Sequence, residues 1–135
     1  MRLFAASLAR EHDRVRILVV DRSLMFRDAL CDVLSAEPDM DAVGVDVDVD
    51  TVFDLVQQYV PAVAIIEIPV LDRSGIHLVR QLHLKAPYIR LITVAALSLD
   101  YPPKEMIRLG IAAQLTKGVT NAEIIATVRR VATVA

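Results

Sequence analysis

Val15-Arg16-Ile17-Leu18-Val19-Val20-Asp21-Arg22 is a short apolar run closed abruptly by two opposite charges. A run of that length, with a helix signal straight after it, reads as a strand buried on both faces. Ser23 stands where a helix N-cap belongs, and Phe26, Ala29, Leu30, Val33 and Leu34 follow at helical spacing. Glu37-Pro38-Asp39 breaks that helix.

The same strand-then-helix unit recurs along the chain. A second strand is expected from Ala42 to Val47, followed by the acidic turn Asp48 to Asp50. Thr51 and Asp54 then suggest a capping box for a helix carrying Val52, Phe53, Leu55, Val56 and Tyr59. Pro61 opens the third unit, in which Ala62 to Ile68 is apolar apart from Glu67 near its end. Gly75 opens the next helix, with Ile76, Val79 and Leu82, and Pro87 closes it. Arg90 to Ala95 is a fourth strand, and Pro103 to Leu109 a short helix stopped by Gly110. Ala112 to Thr116 is a fifth strand ending at Lys117, and Thr120-Asn121-Ala122-Glu123 caps a last helix lined by Ile124, Ile125, Val128 and Val131. Strict alternation of this kind predicts an α/β fold: a doubly wound, five-stranded parallel sheet with helices on both faces.

Composition agrees with that architecture. The 135 residues suffice for one domain, and 55% hydrophobic with only 4% aromatic leaves the core to Val, Leu, Ile and Ala. A net charge of −2 with both signs mixed disfavours generic nucleic-acid binding by this segment. The single cysteine, Cys31, excludes an internal disulfide and fits a reducing, cytoplasmic setting. It falls within an expected helix and reads as a packed or half-exposed thiol, not a nucleophile. No stretch approaches the ~20 apolar residues of a membrane helix. Residues 1–14 read as an N-terminal arm or short extra helix, because the apolar start is short, is interrupted by Ser7 and lacks a convincing cleavage site. The domain proper is expected over 15–135.

In open parallel sheets, functional groups gather outside the carboxyl ends of the strands, at the switch point. That rule selects Asp21, Arg22, Glu67 and Lys117. Two acids and two bases sum to zero, which is a poor lure for a hard divalent cation. The run Val45-Asp46-Val47-Asp48-Val49-Asp50 has the acids for calcium but not the Gly turn or bidentate Glu of an EF-hand, and reads as a strand end with a solvated face. His77 and His83, six residues apart, share no helix face, make no metal pair and are expected at the surface.

The segments Arg16 to Asp21, Phe26-Arg27-Asp28-Ala29-Leu30, Pro61 through Gly75-Ile76, Leu109-Gly110 and Leu115-Thr116-Lys117 resemble, in register, the receiver domains of bacterial two-component response regulators. The likeness is greatest to the subgroup that precedes NarL/LuxR-type DNA-binding domains. It spans about Val15 to Ala132. It implies a CheY-like, flavodoxin-like (βα)5 fold with strand order 2-1-3-4-5.

The resemblance also implies a pocket, and this chain departs from it. Asp21 stands at one member of the family's acidic pair, while Arg22 occupies the metal-binding carboxylate's position. Glu67 takes the phosphoacceptor's place, Ala95 the hydroxyl's and Gln114 the switch aromatic's, whereas Lys117 is retained. Two unit charges ~4 Å apart interact by about 4 kcal/mol at an effective dielectric near 20, so Arg22 is expected to repel Mg²⁺ and attract Glu67. Phosphoryl transfer depends on positioning and on charge neutralisation by the metal. The expected function is therefore an atypical, phosphorylation-independent receiver, without enzyme activity, cofactor or bound metal, that docks on a protein partner or forms a homodimer.

The surfaces for such contact are the fourth helix, fifth strand and fifth helix, or the first and fifth helices. Leu97, Leu99 and Tyr101 are apolar for a loop and are candidates for the same role. The alternative is a receiver still phosphorylated by a histidine kinase, on Glu67, that controls a LuxR-type DNA-binding domain outside this chain. A flavodoxin-like or cobalamin-binding module is a third possibility, but the turn Asp21-Arg22-Ser23-Leu24-Met25 has no phosphate cradle and no Asp-x-His-x-x-Gly pattern occurs.

Overall fold

The computed structural model describes residues 14–68, 74–96 and 101–133. Its elements alternate as expected: β1 (Val15–Val20), α1 (Leu24–Ser35), β2 (Met40–Val45), α2 (Val49–Tyr59), β3 (Val63–Glu67), α3 (Ser74–Lys85), β4 (Arg90–Ala95), α4 (Pro103–Leu109), β5 (Ile111–Thr116) and α5 (Asn121–Thr133). All four strand pairings are parallel, in the order β2-β1-β3-β4-β5. The residues of the expected arm up to Asp13, and Leu97 and Leu99 of the expected partner surface, lie outside the described residues.

Alternation along the central strands creates two cores, one on each face of the sheet. Leu18, Val20, Ala64 and Ile66 point to a layer formed by Val52 and Val56 of α2, Leu78, Val79 and Leu82 of α3, and Leu109 of α4. Ile17, Val19, Ile65, Ile92 and Val94 point the other way, against Leu30 and Leu34 of α1 and Ile124, Val128 and Val131 of α5. Burying a Val, Leu or Ile side chain contributes about 1.5–3 kcal/mol, so the two layers dominate the stability of the domain.

The structure corrects two readings. Strand β2 begins two residues earlier than expected and ends at Val45, and α2 is capped by Asp48, not Thr51: the Asp48 carboxylate accepts from the Thr51 N–H at 3.2 Å. The Val-Asp alternation from Val45 to Asp50 is thus a strand end, a turn and a helix start. The Asp48 carboxylate, a charged acceptor beside the N-terminal amides, sets the helix start ahead of the Thr51 box. His83 also departs from expectation. It is half-buried, packed so tightly over Gly110 that a Cβ there would lie 2.2 Å from its Nδ1. Gly110 has φ of 73°, so it closes α4 in a left-handed conformation while leaving room for the imidazole.

A different left-handed cap is strained. Val60, after α2, has φ of 50° and ψ of 64°, a region costly for a β-branched side chain, and it is half exposed. Val60→Asn should relieve the strain with little loss of burial and raise unfolding stability by ~1 kcal/mol. Chemical denaturation checks this, and an unchanged or lower midpoint would count against strain at Val60.

Candidate functional site

Strand ends β1, β3 and β5 deliver Asp21, Glu67 and Lys117 to one point. Asp21 is held by its backbone, whose N–H donates to the Val45 carbonyl at 3.1 Å and whose carbonyl accepts from Arg27 at 3.0 Å. Its carboxylate accepts from the Ser23 N–H at 2.8 Å, the turn that also aims the Ser23 hydroxyl at the Phe26 N–H to cap α1. The Lys117 N–H donates to the Ala95 carbonyl at 2.9 Å, which fixes the lysine beside the end of β4. Gly75 sits against the same strand ends: a Cβ there would meet the Glu67 carbonyl oxygen at 2.8 Å, so only glycine lets α3 begin so close to β3.

The lysine is engaged on several sides. Its ammonium lies 2.7 Å from Glu67 and 3.2 Å from Asp21, and 4.3 Å from the centroid of the Phe26 ring. Asp21 is 1% exposed, so the cluster is nearly dehydrated at its base. Burial first, and then its hydrogen bond with Glu67, push the Asp21 carboxyl up to about 6. Burial acts in the same direction on Glu67, but hydrogen bonds from Asp21 and Lys117 and the charges of Lys117 and Arg22 hold it below its ordinary range. Burial pulls Lys117 down, and its bonds to Glu67 and Asp21 more than reverse that. Glu67 and Lys117 thus form the tighter of the lysine's two ion pairs, and Asp21 is the more easily protonated of the two acids.

Arg22 is exposed at the rim and contributes positive charge that Glu67 senses. Ala95, buried at the end of β4, presents no hydroxyl. Gln114, on β5, faces away toward α4: its carboxamide accepts from the Tyr101 N–H at 2.9 Å and donates to the Tyr101 carbonyl at 3.1 Å. Tyr101 is half-buried and packs against the α2–α3–α4 layer. Phe26 was not singled out as a site residue, because helical spacing placed it with the apolar face of α1. Cys31 is half-buried, and burial together with Asp28 and Asp32 pushes its thiol up to about 11, so it is no nucleophile at neutral pH. Among the described residues, no group of three or more His, Cys, Asp or Glu side chains is arranged to hold a metal. No described helix is long and apolar enough to cross a membrane.

A five-stranded parallel sheet in this order, with a carboxylate–lysine cluster at its carboxyl ends, is the CheY-like architecture. No family model matches the sequence. The response regulator domain of Thermotoga maritima CheB is 26% identical, with a TM-score of 0.75 covering 90% of this chain and 98% of that domain. The receiver domain of NarL from Mycobacterium tuberculosis, 23% identical, shares the fold at a TM-score of 0.75 over 91% of this chain and 99% of that one. In sequence, the chain is 27% identical over 117 residues to the DNA-binding transcriptional activator DevR/DosR of Mycobacterium tuberculosis, covering 87% of this chain and 54% of that protein. It is also 32% identical over 85 residues to a protein-glutamate methylesterase/protein-glutamine glutaminase of Syntrophomonas wolfei, covering 63% of this chain and 25% of the enzyme. The chain thus spans about half the length of the first relative and a quarter of the second. It shares the fold of response-regulator receiver domains and resembles them in sequence.

Proposed function

We propose that this receiver signals by contact with a protein partner or a second copy of itself, without phosphorylation, and without catalysing a reaction of its own. The observation that carries this reading is the 2.7 Å ion pair between Glu67 and Lys117. Glu67 stands where the family places its phosphoacceptor, and Lys117 is the group expected to bind the incoming phosphoryl oxygen. Here the two are already joined. A phosphoryl donor must break that pair, approach past the positive charge of Arg22, and react with a carboxylate displaced by one methylene from the position of an aspartate. Ala95 offers no hydroxyl to sense the product. A cytoplasmic location belongs to the same reading, as does the absence of a required metal.

Treating the chain with acetyl phosphate and Mg²⁺ should leave its intact mass unchanged. A stoichiometric gain of one phosphoryl mass that disappears in Glu67→Gln would overturn the proposal. That outcome would favour a second reading, in which a histidine kinase phosphorylates Glu67 to control a LuxR-type DNA-binding domain outside this chain. The specific observation behind that alternative is the likeness to DevR/DosR, a DNA-binding transcriptional activator of which this chain covers 54%. A longer reading frame encoding a helix-turn-helix would supply the DNA contact in either case.

A further inference from the structure

The carboxamide of Gln114 engages both backbone polar groups of Tyr101, accepting from its N–H and donating to its carbonyl. That is the exchange a residue of a neighbouring strand would make, here supplied by a side chain. The same Nε2 lies 3.0 Å from the sulfur of Met106, on the first turns of α4. One side chain of β5 therefore holds both the residue entering α4 and the helix itself. We propose that Gln114 is a conformational clamp that fixes the entry to α4 and the α4–β5 face in one arrangement, whatever the state of the Asp21–Glu67–Lys117 cluster.

Physical reasons support a clamp over an incidental contact. The entry segment has no strand partner of its own: Tyr101 and Pro102 precede α4 without belonging to a strand, and neither Pro102 nor Pro103 has a backbone N–H to offer. Pro102, at the N-cap of α4, makes no side-chain capping bond. The N–H and carbonyl of Tyr101 are thus the nearest backbone groups by which the start of this seven-residue helix can be tied to the sheet, and Gln114 takes both. An amide is the only neutral side chain that both donates and accepts through a planar fork of this reach. Gln114 is half-buried, where such bonds are shielded from competing water. Gln114 is held by three contacts that turning about its χ angles would break together.

The clamp is independent of what the pocket does, so its test is separate from phosphorylation. In the unaltered chain, the side-chain NH₂ protons of Gln114 should exchange more slowly with solvent than those of the exposed Gln57 and Gln58. Gln114→Met keeps the length and removes the amide, while Gln114→Glu keeps the acceptor and removes the donor. In Gln114→Met, amide exchange at Tyr101 and across 103–109 should rise about tenfold, the size expected for losing two ordinary hydrogen bonds. Gln114→Glu should free α4 while leaving the Tyr101 N–H partly protected. Amides of β1 and β3 should be unchanged in both, which reports an intact fold. Glu67→Gln should leave exchange across 101–109 as it was. Unprotected Gln114 NH₂ protons in the unaltered chain would overturn the clamp even if neither variant folded. Loosening of 101–109 by Glu67→Gln, or an unchanged Tyr101 amide in a folded Gln114→Met, would overturn it too.

Discussion

Lys117→Met is expected to destabilise the domain by about 2–3 kcal/mol near pH 7 and by far less at pH 4. Removing one partner of a buried ion pair costs about 3–5 kcal/mol when both groups are fully dehydrated. The Lys117 side chain retains 24% exposure, against 12% for Glu67 and 2% for Asp21, so the lower part of that range, somewhat reduced, applies. Methionine preserves the apolar stem, and the loss is then chiefly electrostatic. In the unaltered chain Glu67 is held below its ordinary value. Its contribution is therefore present above the ordinary carboxylate range and is lost as the pH falls through its depressed value. Without Lys117, Asp21 and Glu67 face each other with no central cation. Their carboxyls are then raised in the folded state, which makes the variant weaker as the pH climbs through those raised values. Asp21, already pushed up to about 6 with the lysine present, leads this change.

The unaltered chain also weakens as the pH climbs past the raised Asp21. The variant carries two raised carboxyls and weakens more, so the stability gap between the proteins should widen between about pH 4 and pH 7. A residue of roughly 0.5–1 kcal/mol should persist at low pH, from the lost contact between the ammonium and the Phe26 ring. Adding Glu67→Gln to Lys117→Met should recover much of the neutral-pH loss, because a neutral amide can hydrogen-bond Asp21 without repelling it. Urea denaturation of the four proteins of that cycle, at several pH values, gives the answer. A gap that stays flat from pH 4 to 8 would mean that Lys117 acts through packing alone.

That expectation depends on a cluster whose charged members were legible before any geometry was known. Asp21, Glu67 and Lys117 each terminate an apolar run, and a parallel sheet brings strand ends together. For the same reason the bounds of β1, β4 and α4 could be read directly: Arg22 and Asp21 close the first, Gly110 the last. The second unit was harder. From Val45 to Asp50, every second residue is an aspartate, a pattern that suits a half-exposed strand and equally a helix cap followed by an acidic first turn. Only the Asp48 carboxylate bonding to the Thr51 N–H separates them.

What stayed hidden were contacts between side chains remote in the chain whose types suggest nothing singly. Phe26 beneath Lys117 looks like one more apolar residue of α1. Gln114, which the resemblance reads as a lost aromatic, bonds through its carboxamide to Tyr101 at both ends. His83 has no sequence mark linking it to Gly110, and only the packing of α3 against α4 does so. Polarity and periodicity give strand ends and helix faces, whereas pairing across the fold needs the backbone in place.

Arg22→Asp combined with Glu67→Asp should let the pocket take Mg²⁺ in the millimolar range, where the unaltered chain is expected to bind none. Asp21, Glu67, Arg22 and Lys117 sum to zero at neutral pH, and the double substitution brings the sum to −2. Removing a cation from the rim and adding an anion changes the field on a divalent ion twice over. At ~4 Å and an effective dielectric near 20, each such step is worth several kcal/mol before desolvation is subtracted, so a gain of at least about a hundredfold in affinity is expected. Arg22→Asp alone should account for most of it, since Glu67 stays bound to Lys117 at 2.7 Å. Shortening residue 67 matters for a different step. It draws the carboxylate back from the lysine and frees the ammonium to receive a phosphoryl oxygen.

Titration calorimetry should then detect beryllofluoride, a phosphoryl mimic, only in the double variant and only with Mg²⁺. Ala95 still presents no hydroxyl, so the mimic should bind with little change across α4, and adding Ala95→Thr should tighten it further. Gln114 restrains the response independently, which makes Gln114→Met in that background the substitution that couples pocket to face. Millimolar Mg²⁺ or beryllofluoride binding by the unaltered chain would show that Arg22 does not guard the pocket. The zero net charge of the four groups would then not be what keeps the metal out, whatever the variants did.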